Sequence, residues 1–223
     1  MDYFENHYAK KPRIVDFDYR ERLQSFQVPA IEKHFGSLEG KVFADIGCGD
    51  IPLAYCQDKI GRPSIYWATD LSEVALNSGK NSLVASGVDI SNIRLLHGPY
   101  FCFNEIPDRS IDCAFSNSLF SHLSLNTILI CLKNLEPKLK RGSRYFSSMI
   151  LLPPGIDSLE YEWQVKYGRI SHSAKDPFHY VFSDFRKIVS ATTGLRCVAA
   201  HPYGHPFQLL VEFAKKRRSF LFH

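Results

Sequence analysis

The alternation of apolar and polar positions changes character at Lys41. Residues 1–16 are polar and mixed, and 17–37 have room for a helix or two, so 1–40 is predicted to form a helical collar or lid rather than core. From Lys41 onward, short apolar runs alternate with amphipathic stretches, as in a parallel sheet whose strands are joined by crossover helices. Strands are predicted at 42–46, 64–69, 93–96, 111–116 and 144–149. Leu125, Ile128, Leu129, Leu132 and Leu135 recur with helical spacing and end before a turn at Lys140-Arg141-Gly142. Pro153-Pro154-Gly155 opens an aromatic- and histidine-rich insertion over about 153–182, too long for a simple connection and so a candidate acceptor wall. Ser183 is placed as the N-cap of a helix that Gly194 stops. Runs at 195–200 and 207–213, separated by His201-Pro202-Tyr203-Gly204-His205-Pro206, complete the pattern as an antiparallel hairpin. The predicted class is α/β: a doubly wound, mostly parallel, seven-stranded sheet with a C-terminal antiparallel hairpin, in a single domain over 41–223.

The first strand runs into Asp45-Ile46-Gly47-Cys48-Gly49-Asp50. Gly47 and Gly49 permit a sharp turn and a close backbone approach to a ligand. A dinucleotide fingerprint needs a third glycine at position 52, where Pro52 stands. Asp45 and Asp50 would repel a pyrophosphate, so the charge beside the turn favours a cationic ligand. The second strand ends in another acid, Asp70, about 20 residues beyond the turn, where a carboxylate accepts ribose hydroxyls.

These residues resemble the class I S-adenosylmethionine-dependent methyltransferases, whose cofactor carries a sulfonium and an ammonium and no phosphate. The run Asp45-Ile46-Gly47-Cys48-Gly49 is similar to their first motif, and Tyr66-Trp67-Ala68-Thr69-Asp70-Leu71-Ser72 to the strand that ends in the ribose-binding acid. Ser110 to Asn117 resembles their fourth strand, and Leu135 to Ser143 the helix end and turn before the fifth; together the matches span about 40–150. The resemblance implies a Rossmann-like methyltransferase fold, with S-adenosylmethionine as cofactor and S-adenosylhomocysteine as product. It implies that Asp45, Gly47, Cys48 and Gly49 hold the methionine half and Asp70 the ribose. Leu71, Gly98, Pro99, Tyr100, Asn117 and Ser118 would complete the cofactor contacts. Two departures stand out. Ile51 replaces the family's third glycine, and Gly98-Pro99-Tyr100 lacks the acid often found after the third strand, which leaves backbone carbonyls or Asn104 for the adenine amino group.

The acceptor side is less determined. Asn117-Ser118-Leu119-Phe120 lacks the paired prolines of enzymes that methylate adenine or glutamine amino groups, and no Pro-Cys nucleophile of the cytosine C5 type follows that strand. Transfer to an oxygen or nitrogen of a small molecule remains, with His122 or His179 as candidate general base. Core packing or a backbone bond is the competing account for each histidine, and for the insertion's aromatics. An RNA or protein methyltransferase and a non-catalytic cofactor-binding protein stay open. The former would need a basic groove running from Lys138, Lys140, Arg141 and Arg144 to the cofactor mouth.

Bulk properties narrow this only slightly. A formal charge of +4 is far from the strongly basic balance of a nucleic-acid binder, and Lys215 to Arg218 reads as a solvated end. The 6 cysteines form no CxxC pair, so reduced, buried thiols are expected, with Cys48 a small filler. His201 and His205 have H-x-x-x-H spacing but no cysteine or acid close by in sequence, and no metal is expected. No signal-peptide or membrane-span pattern is present, which points to a cytoplasmic protein without a membrane partner.

Overall fold

The computed structural model describes residues 23–157 and 160–216. Ten strands follow in chain order: β1 (Val42–Ile46), β2 (Ile65–Asp70), β3 (Ile93–His97), β4 (Ile111–Ser116), β5 (Leu139–Leu151), β6 (Glu162–Gln164), β7 (Ile170–His172), β8 (His179–Tyr180), β9 (Leu195–His201) and β10 (Leu209–Lys215). Five α-helices accompany them: α1 (Val28–Phe35), α2 (Gln57–Ile60), α3 (Glu73–Ala85), α4 (Leu125–Leu135) and α5 (Phe182–Thr192). The main sheet runs β3-β2-β1-β4-β5-β10-β9, with β8 pairing to the end of β5. Strands β1 to β5 pair in parallel, and β10 is antiparallel to both neighbours. The expected doubly wound sheet with its C-terminal hairpin is therefore observed, widened by β8.

Side-chain alternation along the strands divides the core between the two faces. Phe43, Tyr66, Ala68, Cys113 and Phe115 pack in one cluster with Ile31 of α1, Ile60 of α2 and Leu83 of α3. Ala44, Ile46, Ala114, Tyr145 and Phe213 pack in the other with Ile128 and Leu132 of α4 and Phe185 and Val189 of α5. In α4, Ser124 caps the N-terminus by accepting from Thr127 N–H, while Ile128, Leu132 and Leu135 are buried and Leu125 and Leu129 partly so.

Two local expectations shift. The turn at Lys140-Arg141-Gly142 lies inside β5 as an irregularity, where β4 advances from Ile111 to Cys113 while β5 advances from Leu139 to Arg144. Helix α5 starts at Phe182 after Val181, so Ser183 sits in its first turn rather than at the cap. The glycine loop feeds a 3-10 turn (Pro52–Cys56) before the short α2. Of the expected collar, the described part is a π-turn (Leu23–Gln27) and α1; residues 1–22 lie outside the described residues. The insertion folds as the β6–β7 pair plus β8, which joins Ile150 and Leu151 of β5. Among the described residues no helix is long and apolar enough to cross a membrane.

One glycine that the pattern did not single out locks the glycine loop to a helix. Gly79, inside α3, has the Asp50 carbonyl oxygen 2.4 Å from where a Cβ would stand, so α3 packs directly on loop backbone. Gly to Ala in a helix interior normally stabilises by about 0.5–1 kcal/mol. Here the overpacking is against backbone, and Gly79→Ala is expected to destabilise by about 1–3 kcal/mol in urea unfolding. A stabilised variant would show that α3 does not bear on the loop.

Candidate functional site

The strand order reverses between β1 and β4, and the crevice beyond the carboxyl ends of these strands is where open α/β sheets bind ligands. The β1–β2 register sets Ile46 beside Thr69, so Asp45 and Asp70 end neighbouring strands at the same edge. Gly47 and Cys48 both donate their N–H to the Thr69 carbonyl, at 2.8 and 3.0 Å, and Gly47 and Gly49 take positive φ of 66° and 58°. A Cβ on Gly47 would fall 2.6 Å from Leu119 Cδ1, which brings the turn after β4 onto the glycine loop. Ile51 keeps the left-handed conformation, φ 56°, where the family's third glycine would stand, and its side chain is fully buried. Burial of that side chain offsets a left-handed cost of roughly 1–2 kcal/mol.

Asp70 is held by backbone: Gly49 N–H donates to Oδ2 and Ser72 N–H to Oδ1, both at 2.8 Å. Each carboxylate oxygen keeps a further lone pair, enough for a pair of vicinal hydroxyls. Burial raises its pKa while these backbone bonds oppose the rise. Asp45, only 5% exposed, accepts from the Tyr66 hydroxyl at 2.6 Å. Burial pushes its carboxyl up to about 7; the Tyr66 bond opposes this and the Asp70 charge adds to it. The Cys48 thiol is driven up by burial and by Asp45, Asp70 and Asp50, which keeps it protonated and unreactive. Three carboxylates thus converge on one glycine turn.

The flanks vary in how firmly they are built. Gly98 N–H donates to the Asp70 carbonyl at 3.1 Å, and His97 Nε2 lies 3.0 Å from the Leu71 carbonyl, tying the loop after β3 to the end of β2. Leu71 packs partly buried on the core, Pro99 opens a 3-10 turn, Tyr100 is 68% exposed at its rim, and Asn104 is exposed. At the end of β4, Ser118 N–H donates to Ser148 Oγ at 2.6 Å. The Ser118 and Ser148 hydroxyls both donate to Gln208 Oε1, and Tyr203 O–H donates to Asn117 Oδ1 at 3.1 Å. Beneath them, Ser116 bonds Tyr145 and Ser147. Tyr203, Gln208, Ser147 and Ser148 were missed in the sequence; the available signal was polar residues at strand positions with apolar neighbours.

The two candidate bases differ in setting. His122 is 44% exposed at the side chain, and its Nδ1 lies 2.7 Å from Asp176 Oδ1. His179 is buried, with Nδ1 3.0 Å from Ser171 Oγ and Nε2 2.9 Å from the Glu160 carbonyl, so both ring nitrogens are engaged. His201 lies 3.1 Å from Glu212, and His205 accepts from Gln208 N–H while burial lowers its pKa to about 4. Lys138 and Lys140 pair with Asp108 and Asp112, and Arg144 with Glu212, near the start of β5 and so at the amino edge of the parallel strands, opposite the crevice. Lys215 pairs with Glu136 and Lys216 donates to the Thr193 carbonyl; Arg217 and Arg218 lie outside the described residues.

The buried Asp45 has a measurable consequence. Its carboxyl sits at about 7 in the fold against 3.8 in the unfolded chain, so between those values the folded state binds more protons. Stability is therefore lost as pH rises from about 4 to 7 and levels off above, with a penalty on the order of 4 kcal/mol at pH 8. Asp45→Asn keeps an acceptor for Tyr66 without the charge. It is expected to be a few kcal/mol more stable than the parent at pH 8, converging on it near pH 4 in urea unfolding across pH. Parallel pH profiles for the two proteins would contradict the burial argument.

Residues 44–147 match the family model described as a methyltransferase domain, a span that begins before the glycine loop and ends in β5. No curated protein matches the chain in sequence. Among solved structures, a SAM-dependent methyltransferase from Aquifex aeolicus superposes with a TM-score of 0.64 at 18% identity, over 94% of this chain and 97% of that one. The Burkholderia thailandensis 1,6-didemethyltoxoflavin-N1-methyltransferase, with bound 1,6-didemethyltoxoflavin and S-adenosylhomocysteine, gives 0.61 at 14% identity over 96% and 87%. A putative methyltransferase from Haloferax volcanii, in complex with the Trm112 activator, gives 0.64 at 14% identity over 96% and 98%. The glycine loop and both strand-end acids lie inside the span that resembles a methyltransferase domain, and the chain shares the fold of these S-adenosylmethionine-dependent methyltransferases.

Proposed function

We propose that the chain methylates an oxygen or nitrogen of a small-molecule acceptor, using S-adenosylmethionine held in the crevice beyond β1, β2 and β4. The observation that carries this reading is the convergence of Asp45, Asp50 and Asp70 on a glycine turn at the sheet's switch point, a negative pocket that favours a cation and disfavours a pyrophosphate. Asp70 accepts the ribose hydroxyls with the lone pairs that Gly49 and Ser72 leave. Asp45, in its ionised form, faces the ammonium, with Gly47, Cys48 and Gly49 supplying the backbone around it. Leu71 and Gly98-Pro99-Tyr100 line the adenine side, while Asn117 and Ser118 are fixed in place by Tyr203, Ser148 and Gln208.

The bound cofactor supplies a methyl group on a sulfonium, already activated for in-line displacement. The chain's own work is to orient the acceptor, exclude water and, for a hydroxyl, take up a proton. His122, open at the crevice side of the turn after β4, is the base in this reading. His179 pins the insertion that walls the acceptor, since both of its ring nitrogens are engaged. Of the 1–40 collar, the described residues 23–40 pack on the domain, with Phe26 edge-on against Tyr203 and His205 and Ile31 in the core. The basic residues that an RNA or protein substrate would need at the mouth stand at the opposite sheet edge, which favours a small molecule.

Calorimetry of the full chain with S-adenosylmethionine and S-adenosylhomocysteine tests the cofactor site. Asp70→Ala removes two hydrogen bonds to a charged group, about 1.5–3 kcal/mol each, and is expected to weaken binding by roughly a hundredfold or more. Undiminished binding by Asp70→Ala, or none by the parent at millimolar ligand, would refute the assignment.

A further inference from the structure

The insertion is bolted to the turn after β4. Phe178 N–H donates to the Ser121 carbonyl at 2.6 Å, and the Tyr180 hydroxyl to the Leu123 carbonyl at 2.5 Å. His172 N–H donates to the Pro177 carbonyl at 2.8 Å, closing the loop that carries Asp176. These bonds hold the Asp176 carboxylate against His122, with Oδ1 2.7 Å from Nδ1. His122 lies three residues beyond Leu119, whose side chain covers Gly47, and its own N–H donates to the Leu119 carbonyl at 3.0 Å. The imidazole therefore belongs to the same turn that touches the cofactor loop.

A carboxylate accepts from Nδ1–H, and accepting there leaves Nε2 with its lone pair. Nothing among the described residues is bonded to Nε2. Three other charged groups of the insertion have partners elsewhere. The Lys175 ammonium lies over the Tyr161 ring at 5.9 Å, His172 faces Glu162 at 3.4 Å, and the Arg169 guanidinium lies over Phe207 at 5.5 Å. The first turn of α4 carries no acid. Asp176 is thus the carboxylate placed to set the tautomer of His122.

We propose that Asp176 is a positioning residue for His122 and that the acceptor is a hydroxyl compound, a phenol or enol, methylated on oxygen. This rests on the methyltransferase reading above and narrows its acceptor class. A neutral amine attacks with a lone pair it already has, whereas a weakly acidic hydroxyl becomes a good nucleophile only as its proton leaves. In the step, the acceptor O–H proton passes to His122 Nε2 as the oxygen lone pair forms the new C–O bond. The methyl–sulfur bond breaks, and its electron pair returns to sulfur as a neutral thioether. The imidazolium, paired with Asp176, then gives its proton to water.

Two measurements on the full chain test this, one of them free of any acceptor. Nitrogen-15 NMR of histidine-labelled protein, at a pH where the imidazole is neutral, is expected to show His122 protonated on Nδ1. Asp176→Asn is expected to shift the signal to the Nε2–H form, because an amide can donate to Nδ1. An Nε2–H tautomer in the parent, or an unchanged tautomer in the variant, overturns the dyad.

The second measurement is transfer from labelled S-adenosylmethionine to 4-methoxyphenol and 4-nitrophenol, with aniline as the amine control. Asp176→Asn and His122→Gln are expected to lower kcat on 4-methoxyphenol by about 100-fold or more with little change in KM. The loss on 4-nitrophenol, largely ionised in solution, is expected to be much smaller. Equal losses on both phenols would reduce Asp176 to a structural clip, and methylation of aniline alone, or of no phenol, overturns the hydroxyl assignment. Calorimetry on the same samples separates that failure from failure of the cofactor reading: binding retained leaves the methyltransferase site standing, and binding absent removes it.

Discussion

Keeping Asp45 out of water beside a bare glycine turn is the constraint around which this end of the sheet is built. A carboxylate at the end of a central strand has low-dielectric neighbours on both sides, and desolvation dominates its ionisation. The fold answers with the Tyr66 hydroxyl rather than with a cation, so the site keeps its negative character instead of neutralising it internally. Asp70 is treated differently. Its oxygens are wired to the backbone of the loop and of the α3 start, so that the acid also fixes the geometry of the turn. An internal arginine would have stabilised both acids and abolished the site's preference for a cationic ligand.

The opposite wall shows the same economy with neutral groups. Ser116, Ser147, Ser148, Gln208 and Asn117 are linked through short bonds that join β4, β5 and the start of β10. Such a network is rigid because every hydroxyl has both a partner and a buried setting. It fixes Ser118 at φ 54°, a conformation with a cost that surrounding bonds must over-determine. Leu119 is carried onto Gly47 by that same backbone bend, and His122 follows at the end of the next 3-10 turn. The turn after β4 is therefore positioned by polar contacts between strands, whereas the glycine turn is positioned by one loop and its acids.

That difference explains what could be read from the residues alone. The glycine turn and the two strand-end acids are local in sequence, so spacing reveals them, and the strand positions follow from the alternation of apolar runs with amphipathic segments. Asn117 bonded to Tyr203, His122 to Asp176 and Ser148 to Gln208 span 86, 54 and 60 positions, and no periodicity encodes such pairings. The β5 irregularity was hidden for a related reason: Lys140-Arg141-Gly142 is ordinary turn chemistry, and only pairing with β4 keeps it within the strand. Gly79 reads as a weak spot in a helix until the Asp50 carbonyl is seen against it.

Where charge sits matters more here than how much there is. The formal charge of +4 would allow a polyanionic partner, yet Lys138, Lys140, Arg144 and Lys215 are each matched with an acid away from the crevice. Exposed pairs of this kind contribute about 0–1 kcal/mol each to stability. Their larger effect is on the field, since each cation is cancelled locally at the opposite edge of the sheet. The glycine turn at the crevice carries the acidic group of Asp45, Asp50 and Asp70, and the turn after β4 carries a carboxylate-paired imidazole. In the proposed reading, a small cationic nucleoside would satisfy the first, and an acceptor that must lose a proton would make use of the second.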